Sequence, residues 1–94
     1  PEAPARVRYV ESQYPPESQA AGEQGTVEVW VRVNAEGVVV DAGILQSSGF
    51  PRLDLAAVAV VRLWGYAAAN ASGRATAREF RESVHFRLQR GTRR

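Results

Sequence analysis

The sequence predicts an α+β domain, in the order β-β-α-β, with one main helix packed on one face of a three-stranded antiparallel sheet. A short helical turn is expected before the first strand. Strict alternation of valine with other residues over 25–33 predicts a half-buried strand. Apolar residues at helical spacing over 51–64 predict the main helix, and alternation over 78–89 predicts the last strand. A chain of 94 residues is expected to form one such layered unit.

The limits of this domain follow from changes in composition along the chain. Residues 1–13 have no apolar period and are expected to be the end of a linker or an extended segment. The domain is then expected over 14–90, with a tail at 91–94. Because the sequence starts at Pro1 and contains no Met, we expect a piece of a longer chain whose membrane anchor or signal segment lies outside it.

A Tyr-Pro-Pro motif at 14–16 opens the predicted domain. Proline fixes its own backbone angle and keeps the residue before it extended, so this motif stiffens the chain. Residues 17–21 are expected to form the short helical turn, with Pro16 at its start and Gly22 at its end.

The first two strands are expected to pair as an antiparallel hairpin. Over 25–33 the valines face the core, and Trp30 lies on the opposite face. Residues 34–37 form the turn, in which Gly37 suits a positive φ. The strand over 38–46 begins with three consecutive valines, which break the alternation and predict a bulge. We expect Trp30 to pack under the helical turn or the N-terminal segment, with a contact surface as the alternative.

The main helix is expected to begin at Pro51, with Asp54 near the positive end of the helix dipole. Gly65 is the expected stop. The apolar face, which is small in the middle so that the sheet can approach, comprises Leu53, Ala56, Ala57, Val60 and Trp64. A loop over 66–76 is expected to lead to the last strand. The apolar face of that strand, which Glu82 interrupts, comprises Phe80, Val84, Phe86 and Leu88.

The composition supplies little for catalysis or metal binding. The chain has no Cys and one His, which excludes disulfides, thiol catalysis, zinc fingers and a His cluster. Ser47 and Ser48 have no acidic or His partner near them in sequence, because His85 belongs to a different predicted element. The glycines do not match a phosphate-binding loop. We therefore expect no enzyme activity, no cofactor and no metal site.

Charge is unevenly distributed along the chain. All twelve basic residues are Arg; residues 1–70 carry five Arg against eight acids, a net −3, and residues 71–94 carry seven Arg against two acids, a net +5. A basic end suits nucleic acid, acidic lipid or an acidic peptide, or it simply keeps an edge strand soluble. Because the aromatic residues are not interleaved with these arginines, we expect no nucleic-acid partner and keep a basic nucleic-acid-binding module as the weakest alternative.

A set of short motifs runs through the chain in a fixed order. Its first half consists of Tyr14-Pro15, Gly25-Thr26-Val27 and Gly37-Val38-Val39. Its second half consists of Ser47-Ser48-Gly49, Leu53-Asp54-Leu55-Ala56-Ala57, Trp64-Gly65-Tyr66 and Val84-His85-Phe86-Arg87-Leu88. Together they resemble the C-terminal domain of the TonB family of energy transducers, over residues 14–88. One departure is Ala68, which stands where the family often has Pro.

The resemblance implies a periplasmic domain of a Gram-negative bacterium, whose full-length protein is anchored in the inner membrane. Such proteins work with ExbB- and ExbD-like partners, which draw on the proton-motive force. Their C-terminal domain grips the TonB box, a short extended segment of an outer-membrane transporter, for uptake of iron–siderophore complexes, cobalamin or similar cargo. The alternatives are a TolA-like envelope role and a dimeric scaffold. We expect a monomer that forms at most a weak homodimer.

The last strand is expected to be a sheet edge, because it follows the helix and must add beside the hairpin. The unpaired N–H and C=O groups of an edge can take up an extended peptide by strand addition, here along 81–85. Outward side chains that could meet an acidic peptide are Arg81, Ser83, His85 and Arg87. The resemblance adds Gln13 and Tyr14 to this site, with Glu11 and Ser12 as weaker candidates. The alternative is that Tyr14 packs on the core and the arginines keep the edge soluble.

Overall fold

The computed structural model describes residues 4–68 and 78–88, and within them it confirms the α+β class. The elements in chain order are β1 (Arg6–Arg8), α1 (Pro16–Ala20), β2 (Gly25–Val33), β3 (Val39–Gln46), α2 (Pro51–Val61), β4 (Gly65–Tyr66) and β5 (Arg78–Phe86). The β-β-α-β order predicted from the sequence corresponds to β2, β3, α2 and β5. The short helical turn is α1, which ends before Gly22 at a positive φ of 73°.

The main sheet has three antiparallel strands in the order β3-β2-β5. Strand β2 is therefore central, and both β3 and β5 are edges, as expected for the last strand. The β2–β5 ladder is regular along its whole length, from the Gly25–Phe86 pair to the Val33–Arg78 pair. The β2–β3 ladder is interrupted by two irregularities, and one of them lies beside Val40 in the predicted bulge region.

The core lies between the sheet and α2. The four alternating valines of β2 are fully buried, as the period-two pattern predicts. From the helix side of the core, α2 contributes Leu53, Ala57, Val60 and Val61. From the same sheet as the valines, β5 contributes Phe80, Val84 and Phe86. Complete burial of a valine stabilises the fold by about 1.5–3 kcal/mol. The hairpin and the helix therefore hold each other in place mainly through this apolar contact.

The main helix is shorter than predicted, because it ends at Val61 and not at Gly65. Leu63 and Trp64 follow in a tighter turn, which brings Trp64 into the core with 4% of its surface exposed. Gly65 lies in β4 and pairs with β1; a Cβ at this position would come 3.2 Å from the Cβ of Arg8. Gly65 is thus required for close approach to β1, and its interpretation as a helix stop was wrong.

The connection after the helix also differs from the prediction. Tyr66 was assigned to a loop, but it is buried in β4 and pairs with Arg6. The strand β5 ends at Phe86, earlier than the predicted 89, and β3 begins at Val39, one residue later than predicted. The rest of the predicted loop over 69–76, the end of the predicted domain at 89–90 and the tail at 91–94 lie outside the described residues.

Trp30 packs in a different place from the one expected. Its indole lies over Gly43 of β3, on the face of the sheet opposite α2. A Cβ at Gly43 would come 2.5 Å from the indole nitrogen, so the absence of a side chain at this position makes room for the ring. The expected contacts with the helical turn or the N-terminal segment are replaced by this packing across the sheet.

Candidate peptide-binding groove

A groove of about 730 Å³ runs between the N-terminal segment, residues 9–14, and the free edge of β5. We call it the edge groove. Six of the eight residues predicted for the site line it: Glu11, Ser12, Tyr14, Ser83, His85 and Arg87. The structure therefore brings together two stretches of chain that the resemblance and the edge-strand argument selected separately.

One end of the N-terminal wall is fixed by Tyr14. Its hydroxyl donates a hydrogen bond to the carbonyl oxygen of Glu23, and its ring meets Phe86 edge to face at a centroid distance of 5.4 Å. The side chain of Gln19 donates to the Tyr14 carbonyl oxygen at 3.1 Å. Tyr14 thus packs on the core, as the alternative interpretation held, and it also lines the edge groove.

The other end of this wall is held by Trp64. Its indole N–H donates to the carbonyl oxygen of Val10 at 2.7 Å, and its ring lies 5.0 Å from that of Tyr9. The guanidinium group of Arg6 lies over both rings, 4.9 Å from the Tyr9 centroid and 4.8 Å from the Trp64 centroid, at distances typical of cation–π contacts. The wall is therefore tied to the folded body at both ends.

Glu82 lines the edge groove, and its carboxylate is hydrogen bonded to the buried phenol of Tyr66. The Tyr66 hydroxyl donates a hydrogen bond to Oε2 of Glu82 at 2.7 Å. Burial, reinforced by this bond to a carboxylate, raises the pKa of Tyr66 well above its ordinary value, so the phenol stays protonated and remains a donor. In the sequence, Glu82 is only an interruption of an apolar face, and no sequence pattern assigns Arg6, Tyr9, Trp64 or Tyr66 to the site.

The outward side chains of β5 engage the central strand on the open face of the sheet. The Ser83 hydroxyl donates to the Glu28 carboxylate at 2.8 Å, and Nδ1 of His85 lies 2.9 Å from the Thr26 hydroxyl oxygen. Arg81 is exposed beside Trp30 in the β2–β5 register. These contacts bond the side chains of Ser83 and His85 to β2. They do not use the backbone N–H and C=O groups on the outer edge of β5.

Two predicted site residues do not line the edge groove. Arg81 shares the open face of the sheet with Ser83 and His85 but lies further towards the Arg78 end of β5, outside the lining of the groove. Gln13 lines a second, mostly apolar cavity of about 750 Å³ between the N-terminal segment and α2, beside Pro15, Ala56 and Leu63. Glu11 and Tyr14 line both cavities, whereas Ser12 lines only the edge groove and Gln13 only the second cavity.

The two sheet edges differ in regularity. Strand β3 carries both ladder irregularities, and bulges of this kind disrupt further strand pairing. Strand β5 is regular over nine residues and presents alternate N–H and C=O groups away from β2. Beside it, the hydroxyl oxygen of Ser12 is buried and has no hydrogen-bond partner within residues 4–68 and 78–88. The groove therefore contains backbone and side-chain groups that an extended segment could pair with.

The described residues show no features of a metal site or of a membrane-spanning helix. No group of three or more His, Cys, Asp or Glu side chains that could hold a metal ion occurs in the described part of the chain. Neither helix within residues 4–68 and 78–88 has the length and hydropathy required to cross a membrane. Ser47 and Ser48, which were thought to lack a nearby partner, both hydrogen bond to Asp54 in a turn before α2.

Residues 10–88 match the model of a family described as Gram-negative bacterial TonB protein C-terminal. The chain is 37% identical over 75 residues to the protein TonB of two strains of Xanthomonas campestris pv. campestris. That match covers 80% of this chain and 34% of each of those relatives, so the chain spans only a part of their length. The fold is similar to the solution NMR structure of Pseudomonas aeruginosa TonB CTD, with a TM-score of 0.76 and 22% identity, covering 93% of this chain and 88% of that chain.

Proposed function

This chain belongs to the family of TonB C-terminal domains, and from that premise we propose that it binds the TonB box of an outer-membrane transporter in the edge groove. Binding of this segment would couple the transporter to energy drawn from the proton-motive force, for active uptake of iron–siderophore complexes, cobalamin or similar cargo. The observation that carries the proposal is the regular outer edge of β5, which faces the N-terminal wall and pairs with no other strand of residues 4–68 and 78–88.

Strand addition is the binding mode that this geometry favours. An extended guest along β5 would take up the outward N–H and C=O groups and make the sheet four-stranded. Backbone pairing tolerates varied guest sequences, while side chains such as His85 and Arg87 tune the choice of an acidic guest.

The N-terminal segment suits the transmission of a pull. It is tied to the body by the β1–β4 pair and by the Trp64–Val10 hydrogen bond. A pull along the strands loads the hydrogen bonds between β5 and the guest all at the same time. Bonds worth about 1 kcal/mol each could then resist force as a group.

The remaining parts of the proposal concern the whole protein. We place this domain in the periplasm of a Gram-negative bacterium, with the full-length protein anchored in the inner membrane and working with ExbB- and ExbD-like proteins. It would act as a binding domain without enzyme activity. Support for this arrangement comes from family membership.

A second copy of the chain is the alternative occupant of the edge groove. The same free edge of β5 that suits a transporter segment could pair with β5 of another copy, as in a dimeric scaffold or a TolA-like protein. The two occupants would compete, so peptide binding should shift any dimer towards monomer.

Calorimetric titration with synthetic segments from transporters of the same organism tests the proposal. In a peptide that binds, N-methylation of alternate backbone amides should abolish binding at every second position, because only alternate N–H groups face β5. N-methylation at the positions between should have little effect. Failure of a folded domain to bind any such segment, or equal losses at all positions, would contradict strand addition.

A further inference from the structure

Glu82 is the acidic side chain of β5 that faces the same side as the buried Phe80 and Val84. It is half-buried and lines the edge groove, on the side of the sheet that the N-terminal segment partly covers. At a position where the strand's neighbours are apolar, a carboxylate is costly to cover unless a partner compensates its charge. The structure supplies one donor, the hydroxyl of Tyr66, at 2.7 Å from Oε2.

The other carboxylate oxygen of Glu82 has no such partner. Within residues 4–68 and 78–88, Oε1 receives no hydrogen bond, and no Arg or His forms an ion pair with Glu82. Arg6 also lines the groove, but its guanidinium group is stacked on the rings of Tyr9 and Trp64. The exposed part of the carboxylate is therefore accessible to water in the open groove, and no cation of the described residues forms an ion pair with it, although the charge of Arg6 acts on the neighbouring Tyr66 hydroxyl.

A guest strand in the groove would remove this water. Side chains of directly paired residues on neighbouring strands lie on the same side of a sheet, so the guest residue paired with Glu82 would point towards its carboxylate. An apolar or acidic guest side chain at that position would leave the charge uncompensated as water is excluded. A lysine or arginine would satisfy Oε1 with a charge-assisted hydrogen bond.

We infer that Glu82 selects a bound segment with Lys or Arg at the position that pairs with it, and thereby sets the register of the segment along β5. This inference rests on the proposed strand addition in the edge groove. The guest would then carry a basic residue on the side that faces Glu82. On its other side, acidic residues would be favoured by His85 and Arg87. A shift by one residue exchanges the two sides of the guest, and a shift by two moves its basic side chain from Glu82 to the apolar Phe80 or Val84, so a guest with both features favours one register.

A lysine scan of a transporter segment tests the inference. Starting from a segment that binds, Lys is placed at successive positions, and each peptide is titrated against the wild-type domain. One position is expected to bind about tenfold more tightly than the parent, since a hydrogen bond to a charged group is worth about 1.5–3 kcal/mol. Glu at that same position should weaken binding.

Three variants complete the experiment. Glu82→Gln keeps an acceptor oxygen for Tyr66 and should abolish the gain at the selected position while preserving binding of the parent peptide. Glu82→Lys should reverse the preference from Lys to Glu. Glu79→Gln is the matched control, because it removes one negative charge from the same strand on its opposite face, and it should leave the gain unchanged.

The outcomes separate this inference from the proposed function. Peptides that all bind equally well to the wild type, or a gain that Glu79→Gln abolishes as fully as Glu82→Gln, would overturn the role of Glu82 and leave strand addition standing. A folded domain that binds none of the peptides would overturn strand addition itself, and the inference with it.

Discussion

The indole nitrogen of Trp64 donates a hydrogen bond to the carbonyl oxygen of Val10 across 54 positions of the chain. This contact joins the turn after α2 to one end of the N-terminal segment. Because residues 9–14 form one wall of the edge groove, the position of that wall depends on Trp64. A core residue thus determines the shape of a candidate binding site that it also lines.

Replacement of Trp64 by Phe should loosen the N-terminal wall. The variant keeps an aromatic ring but loses the donor to Val10 and part of the buried surface, which should lower the free energy of unfolding by about 1–2 kcal/mol. Hydrogen exchange over 9–14 should become faster than in the wild type, and peptide affinity should fall. Trp30→Phe, on the open face, is the control; an equal loss of protection at 9–14 in that variant would contradict the role of Trp64.

Acid stability should depend on Asp54. Burial alone would raise the pKa of this carboxyl, but hydrogen bonds from the Ser47 hydroxyl and from the backbone and hydroxyl of Ser48 outweigh it and lower the pKa. A carboxyl with a lower pKa in the folded state stabilises the protein above its unfolded pKa. That contribution is lost as the pH falls through the folded pKa.

Asp54→Asn should therefore be less stable than the wild type near pH 7, by about 1 kcal/mol. The difference should shrink as the pH falls below about 4, where the unfolded carboxyl is protonated. Urea unfolding at several pH values measures both effects. Glu36→Gln, in the exposed hairpin turn, should show no such difference, and a pH-independent deficit in Asp54→Asn would contradict the electrostatic explanation.

Much of the fold could be predicted from the sequence because its patterns are local. The valines of β2 alternate without interruption, and the buried positions Leu53, Ala57 and Val60 recur at helical spacing. Such patterns report which face of an element is covered. They do not report what covers it, which is why Trp30 was assigned to the wrong neighbour.

The helix end and the groove could not be predicted because they depend on contacts between distant parts of the chain. Gly65 looks like a helix stop in sequence, yet its role comes from the approach of β1. Glu82 looks like an interruption of an apolar face until Tyr66 is seen to donate to it. The edge position of β5 was predictable from connectivity, whereas the wall opposite it required the docking of residues 9–14.

Arg87 and Arg81 form a matched pair for testing the outer charges. Both arginines are exposed. Arg81 lies within β5 and Arg87 directly follows its end, but only Arg87 lines the edge groove. Arg87→Gln should weaken binding of an acidic segment by about two- to fivefold at low salt, because an exposed pair contributes about 0.2–1 kcal/mol. Arg81→Gln should have a smaller effect, and added salt should reduce both. Equal effects would contradict placement of the guest in the groove.

The domain is expected to be a monomer in dilute solution. The edge of β3 is interrupted by bulges, and the edge of β5 opens into a groove beside the N-terminal segment, which limits the approach of a second folded copy more than that of an extended peptide. Sedimentation velocity at two protein concentrations should show a monomer at the lower one and at most weak self-association at the higher one. A dimer that persists at submicromolar concentration would contradict this expectation.

Proline at position 83 should separate backbone pairing from side-chain contacts. Proline has no N–H, and its ring obstructs the approach of a neighbouring strand, so Ser83→Pro should lower the affinity of a transporter segment by at least about tenfold. Ser83→Ala is the control, because it removes the hydroxyl bonded to Glu28 but retains the backbone N–H. Calorimetry on both variants, with circular dichroism to verify folding, gives the comparison.

The two variants should differ because the hydroxyl of Ser83 is already hydrogen bonded to Glu28, so its removal takes away no backbone group that a guest strand needs. Ser83→Ala should therefore bind nearly as well as the wild type. A folded Ser83→Pro variant with unchanged affinity would show that the guest does not pair with this part of β5. If Ser83→Pro does not fold, N-methylation of alternate amides in the peptide tests the same pairing without any change to the domain. Loss of binding in the folded proline variant alone is the result that strand addition requires.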